Sequence, residues 1–180
     1  MNPSVTVDDA VPDVDVLIET ERWRDVVPDV ETICRAAVIA TITHVETARP
    51  PQDMHVCILL ADDACLRDLN HRFRGVDRPT NVLSFPAVEP DLLAAIGADG
   101  PPPDLGDIAI AFETMAAEAK CDGKSLADHL SHLVVHATLH LLGHDHGMEA
   151  EAAAMEALET RILAQMGVAD PYAEPGNSLQ

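Results

Sequence analysis

The sequence predicts an α+β fold, a small mixed sheet of about four strands with helices packed on it. Three observations predict this. Short runs of strand length, rich in Val, Ile, Leu and Ala, recur at Val14–Glu19, Met54–Leu60, Asn81–Phe85 and Leu105–Phe112. Longer stretches with apolar residues at helical spacing lie between and after them. Strands and helices do not alternate strictly, so a doubly wound repeat is not expected.

Each element has its own justification. Residues 1–12 are polar with two Pro and read as a mobile extension. Pro28 to about Thr43 carries an apolar stripe through Val30, Ile33, Cys34, Ala37 and Val38, and reads as a helix. Asp62 and Asp63 open a short helix through Leu66, Leu69 and Phe73, ended by a turn at Gly75–Arg78. Pro86 stops the third strand, and the Pro- and Gly-rich residues 87–104 form a long loop. Glu113–Lys120 is a helix. Ser125 caps the next one, with Asp128 three residues on. On it Leu126, Leu130, Leu133, Ala137 and Leu141 face the core, and His129, His132, His136 and His140 form the adjacent stripe. An Ala- and Glu-rich helix follows from about Glu149 to Met166, with an ordinary solvated face over residues 149–160 and Gly167 as its stop. The chain thus divides into the 1–12 extension, one domain at 13–168, and a tail at 169–180 expected to fray.

Composition narrows the function classes. At 180 residues the chain is long enough for one sizeable core. With 47% hydrophobic residues but only 3% aromatics, the core must come from aliphatic side chains. A net charge of −20 opposes bulk attraction to nucleic acid or anionic membrane, yet leaves room for a local basic cleft. Four of the 11 Lys and Arg, namely Arg67, Arg72, Arg74 and Arg78, fall in one short stretch. The four Cys form no Cys-x-x-Cys pair and read as buried reduced thiols. No leader-like or membrane-spanning run is present, so a cytoplasmic location without membrane attachment is expected.

The chemistry concentrates in one run, His136-Ala-Thr-Leu-His140-Leu-Leu-Gly143-His-Asp145-His146. Six of the nine His lie within residues 129–146. That density is more than a polar helix face requires. Histidines four apart project from one helix face. Gly143 can take the left-handed conformation that ends the helix and returns His146 toward the same point. Three neutral imidazoles with a fourth position for water describe a catalytic zinc site, in which the pKa of the water falls to about 7. The same spacing occurs in metzincin peptidases, but their Glu general base is replaced here by Ala137. Asp145 is placed to orient a ligating imidazole, or to cap a turn. His132 and His144 could compete as ligands; His132 also reads as a supporting residue, one turn before His136, and His144 as a solvent-facing side chain. The second unusual run, residues 69–86, joins a helix end, a basic turn and a strand. It reads equally well as a phosphate clamp or as a solvated loop.

Together these runs resemble the YbeY family, bacterial rRNA maturation factors that act as metal-dependent endoribonucleases. The family pattern His-Gly-x-Leu-His-Leu-x-Gly-Tyr-Asp-His is matched at His136, Leu139, His140, Leu141, Gly143, Asp145 and His146. The Phe-Arg…Asp-x-Pro-Thr-Asn-Val-Leu-Ser-Phe-Pro run stands at residues 73–86 and Leu-Gly-Asp-Ile at 105–108. Two positions depart from the pattern: Ala137 stands for Gly and His144 for Tyr. The resemblance implies one zinc ion per chain on His136, His140 and His146, with the metal site at the end of the motif helix. It implies a functional Arg at Arg74. It also implies cleavage of single-stranded precursor rRNA at the small-subunit 3′ end, and ribosome quality control. The expected partners are the small ribosomal subunit and its assembly factors; DNA is not expected. His136, Arg74 and Asp145 are the candidate catalytic residues, with Asp145 or His144 as proton shuttle. Two alternatives stand beside this reading: a metallopeptidase-like hydrolase lacking its Glu base, and a non-catalytic ribosome-assembly factor with a structural zinc.

The methyl group of Ala137 cannot accept a proton from water. Purified protein is therefore expected to turn over no peptide in a substrate panel; turnover abolished by a chelator would contradict this.

Overall fold

The computed structural model describes residues 11–45, 54–89, 92, 103–144 and 149–173. The expected extension at 1–12 and the loop at 87–104 therefore lie largely outside the described residues. Four strands form one sheet: β1 (Asp13–Ile18), β2 (His55–Ala61), β3 (Val82–Pro86) and β4 (Asp104–Ala111). Their order is β1-β2-β4-β3. β1 and β4 run parallel to β2, and β3 is an antiparallel edge strand on β4. The helices are α1 (Arg22–Val26), α2 (Val30–His44), α3 (Asp63–Arg74), α4 (Phe112–Cys121), α5 (Leu126–Leu141) and α6 (Glu149–Gln165). The α+β reading of the sequence holds.

Strand alternation sorts the sheet into two faces. Val56, Ile58 and Leu60 of β2 and Ile108 and Ile110 of β4 point into the main core with α2, α5 and α6. Ala61, Leu83, Ala109 and Ala111 form a smaller cluster with Leu66 of α3 on the opposite face. On α5, Leu130, Leu133, Ala137 and Leu141 are buried as expected, and Leu126 packs partly buried against the same core.

One helix escaped the sequence reading. The single turn α1 carries Trp23, which is fully buried. Its indole donates to the Ala61 carbonyl at 3.0 Å and meets the Phe112 ring edge-on with centroids 5.0 Å apart. Five residues are too few to show a helical period, so the stabilisation comes from this tertiary contact.

The helix ends are set by side chains. Asp62 Oδ1 accepts from Cys65 N at 2.9 Å and Ser125 Oγ from Asp128 N at 3.0 Å. The start of α4 has no cap of its own from Ala111; instead Asp63 of α3 accepts from Thr114 N at 3.0 Å. Glu113 in return accepts from Asp63 N at 3.0 Å. The two helix starts thus satisfy each other's orphan donors, which orients α3 and the Arg at its far end. That end closes through Gly75 N on the His71 carbonyl at 3.0 Å and Val76 N on the Asn70 carbonyl at 3.3 Å.

The cysteines partly depart from expectation. All four are free, but only Cys34 is fully buried, its thiol pushed up to about 12 by burial, and Cys121 is exposed at the end of α4. Periodicity placed them near apolar neighbours without resolving which side of each element faces the core.

The tightest point of the sheet is Gly106, at a register shift in the β2–β4 pairing with φ +124°. A methyl group there would overlap the Phe85 carbonyl oxygen and sit 2.8 Å from Ala87 N. The Gly106→Ala variant is expected to lose about 2–4 kcal/mol, from backbone strain plus overpacking. Urea denaturation compared with wild type measures it; an unchanged midpoint would contradict the contact.

Candidate metal and phosphate site

The site is built on the last two turns of α5. His136 and His140, one turn apart, direct their Nε2 atoms at each other across 3.1 Å. Gly143 ends the helix with φ +89°, as the sequence predicts, and His144 N closes the turn on the Leu139 carbonyl at 3.0 Å. The chain then returns as α6 along α5. His146 and Asp145 lie outside the described residues.

His136 is held from behind. Its Nδ1 stands 2.5 Å from Oε1 of Glu159, a residue of α6 with no exposed side-chain surface. Tyr172 donates its hydroxyl to Glu159 Oε2, and His132 Nε2 lies 3.5 Å from the same oxygen. Burial alone would raise the Glu159 carboxyl. Hydrogen bonds from His132, His136 and Tyr172 outweigh it and hold the group well below the usual carboxylate range. An ionised carboxylate only accepts, so the proton it shares with His136 belongs to Nδ1. The Nε2 lone pair is then directed away from Glu159, toward His140.

This donor set suits a metal ion. Two imidazole nitrogens on one tetrahedral zinc, each at about 2.0–2.1 Å, stand about 3.3 Å apart, close to the separation found. A carboxylate on the far nitrogen is the common support for a ligating His, fixing its tautomer and raising its basicity. Among the described residues, His132, His136 and Glu159 also bring one donor atom each within 4.8 Å of one another and could themselves hold a metal ion. The 2.5 Å between His136 Nδ1 and Glu159 Oε1 favours a hydrogen bond there. Two donors on one ion at about 2.0–2.2 Å would stand farther apart.

The open side of the His pair is a cavity of about 400 Å³. Arg74, Thr80, Asn81, Val82 and Ser84 line it opposite His136, Ala137 and His140. Arg74 arrives as the last residue of α3, and Val82 and Ser84 from the edge strand β3. Asn81 is fixed at the mouth, donating to Glu118 Oε2 at 3.0 Å, which also meets His129 Nε2 at 2.9 Å. The loop between α3 and β3 is tied by Asn70 Nδ2 on the Arg78 carbonyl at 2.8 Å.

Of the four clustered Arg, two are already ion-paired. Arg67 grips Asp77 with contacts of 2.6 and 3.0 Å, and Arg72 meets Asp68 at 3.3 Å. Arg74 and Arg78 have no carboxylate partner among the described residues, and Arg74 is the one in the cavity. His144 lines a separate cavity with Gly143, Glu151 and Met155, and burial lowers its pKa below the ordinary histidine value.

Two residues escaped the sequence reading. Glu159 fell in the helix read as a solvated Glu-rich face, yet it is buried. The available signal was its spacing. Met155, Ile162 and Leu163, at i−4, i+3 and i+4, are all buried and place Glu159 in the apolar stripe. Tyr172 lies in the tail expected to fray, and no local pattern connects it to α5. His132, read as a supporting residue, does touch this network, with Tyr172 Oη 3.4 Å from its Nε2.

A family model described as Endoribonuclease YbeY matches residues 18–167. A protein named Endoribonuclease YbeY from a Bradyrhizobium species is 48% identical over 164 residues, covering 91% of this chain and 94% of that protein. Its namesake from Rhodopseudomonas palustris is 49% identical over 170 residues, covering 94% of this chain and 95% of the relative. The solution structure of a Thermotoga maritima protein shares the fold with a TM-score of 0.51 at 21% identity, over 91% of this chain and 99% of its own. Among the described residues no helix is long and apolar enough to cross a membrane. The chain belongs to the YbeY endoribonuclease family.

Proposed function

We propose that this chain is a zinc-dependent endoribonuclease specific for single-stranded RNA, acting in small-subunit rRNA 3′-end maturation and ribosome quality control in the cytoplasm. The observation that carries the reading is one cavity with Arg74, whose guanidinium has no carboxylate partner among the described residues, on one wall and the paired Nε2 atoms of His136 and His140 on the other. A phosphodiester fits between a cation that forks onto its oxygens and a metal-binding pair.

In this reading His136, His140 and His146 would hold the ion, one per chain. When bound, zinc supplies Lewis acidity, polarising a phosphoryl oxygen or activating water. Arg74 binds a non-bridging phosphate oxygen and stabilises the charge that builds on phosphorus in the transition state. Ser84 and Asn81 offer neutral hydrogen bonds to the strand. Ala137 puts a methyl group, not a carboxylate, into the lining of the cavity, so it does not repel the phosphate. Asp145 would move the proton, since His144 lines a separate cavity. With the rest of the chain strongly acidic, affinity for naked RNA is low, and the precursor small subunit with its assembly factors brings the enzyme to its target. Cleavage of a single-stranded RNA by wild type and its loss in His140→Ala test the reading directly.

Elemental analysis of tag-free protein is expected to find about one zinc per chain. The double variant His136→Ala/His140→Ala is expected to lose it; full occupancy in that variant would overturn the ligand assignment. Arg74→Ala is expected to keep its metal but to lose about 2–4 kcal/mol of transition-state stabilisation in single-turnover RNA cleavage. Arg74→Lys is expected to recover only part, because an ammonium is a point charge without the planar fork. Wild-type cleavage by Arg74→Ala would remove Arg74 from the mechanism.

A further inference from the structure

We infer that Tyr172, in the segment after α6, is a positioning residue: through Glu159 it fixes the His136 imidazole with its proton on Nδ1 and its Nε2 lone pair toward the cavity. The consequence for metal affinity rests on the proposed role of His136 as a ligand; the consequence for the tautomer does not.

The argument starts from the cost of burying a carboxylate. Glu159 has no exposed surface, so both of its oxygens need donors from the protein. Oε1 is served by His136. Oε2 has the Tyr172 hydroxyl and, at 3.5 Å, His132 Nε2. The second of these is at the limit of a hydrogen bond. Tyr172 is therefore the main donor to that oxygen among the described residues. Burial and the adjacent Glu159 carboxylate push the phenol above its ordinary value, so it keeps its proton and stays a donor. Without the hydroxyl, Oε2 loses its main donor, the carboxylate is freer to rotate, and the hold of Oε1 on the Nδ1–H of His136 weakens.

The tail is docked by more than this ring. Lys124 Nζ, from the turn between α4 and α5, donates to the Pro171 carbonyl at 3.0 Å. Asp170 Oδ1 accepts from Tyr172 N at 2.9 Å and from Thr160 Oγ1 at 3.2 Å. The Tyr172 ring meets His132 edge-on with centroids 5.6 Å apart. Removing only the hydroxyl should thus leave the segment in place. Tyr172 also walls a cavity of about 270 Å³ behind His136, together with Met155, Glu156 and Glu159. The segment after α6 therefore flanks the rear of the site, while RNA would approach from the Arg74 side.

The test uses the full chain and the Tyr172→Phe variant, with Glu159→Gln as the reference. In zinc-loaded protein, competition with a chromophoric chelator is expected to show metal held about tenfold more weakly by Tyr172→Phe. Glu159→Gln is expected to fall about 10–100-fold, the usual range for such supporting groups. In metal-stripped protein, 15N NMR of the imidazoles is expected to show His136 as the Nδ1–H tautomer in wild type and as a mixture in Tyr172→Phe. An unchanged tautomer in Tyr172→Phe would overturn the inference, even if zinc affinity fell, because the tail would then act by packing alone. Loss of a dispersed amide spectrum in the variant would overturn it too, since the hydroxyl would then support the fold. A wild type that binds no metal but shows the tautomer difference would remove the metal reading and leave the positioning role standing.

Discussion

A carboxylate with no access to water must be surrounded by donors, and Glu159 is such a group. Its oxygens draw together three parts of the chain: His132 and His136 on α5, α6 itself, and Tyr172 beyond it. That demand sets the register between α5 and α6. It also sets the orientation of the His136 ring, because an acceptor-only partner leaves the Nδ1–H tautomer as the one that bonds. Hydrogen bonds here stand in for the solvation that the carboxylate gave up on folding. The same exchange leaves the Nε2 lone pair facing His140 at the separation a shared ion would impose.

The opposite wall of the cavity depends on a different constraint. α3 is oriented at its start by the exchange of caps between Asp63 and the first turn of α4. At its end the left-handed turn after Arg74 carries the chain into β3. Val82 and Ser84 of β3 point to one face of the sheet, with Leu83 in the cluster on the other, and line the cavity together with His136 and His140. Gly106 permits β3 to lie against β4 at this distance, since the Phe85 carbonyl occupies the space a side chain would take. Arg74 thus faces the histidines through rigid elements rather than through the reach of a flexible loop.

Charge selects among the cations. The chain carries a net charge of −20, and its Arg side chains differ in whether an acid holds them. Arg67 and Arg72 are spent on Asp77 and Asp68, exposed pairs that each contribute little to stability. Arg74, without such a partner among the described residues, has donors to offer an anionic ligand. A small cationic point in a strongly acidic chain attracts an anionic ligand only at short range.

Much of this was legible in the sequence because it is local. Strand-length apolar runs, the helical stripe on α5, the Ser125 cap and the left-handed turn at Gly143 each depend on a few consecutive residues and on fixed backbone periods. The four-residue spacing of His136 and His140 alone placed them on one face. The tertiary structure decided what those periods do not encode. Trp23 makes a helix of α1 through contacts with Ala61 and Phe112, residues far along the chain. Glu159 looked like one more solvated acid until α6 was laid against α5, and Tyr172 has no local pattern at all. Which Arg stays unpaired likewise depends on where Asp68 and Asp77 fall in space. A sequence states spacing along one line. Burial, hydrogen-bond satisfaction and ion pairing are settled between segments distant on that line, and only packing brings those segments together.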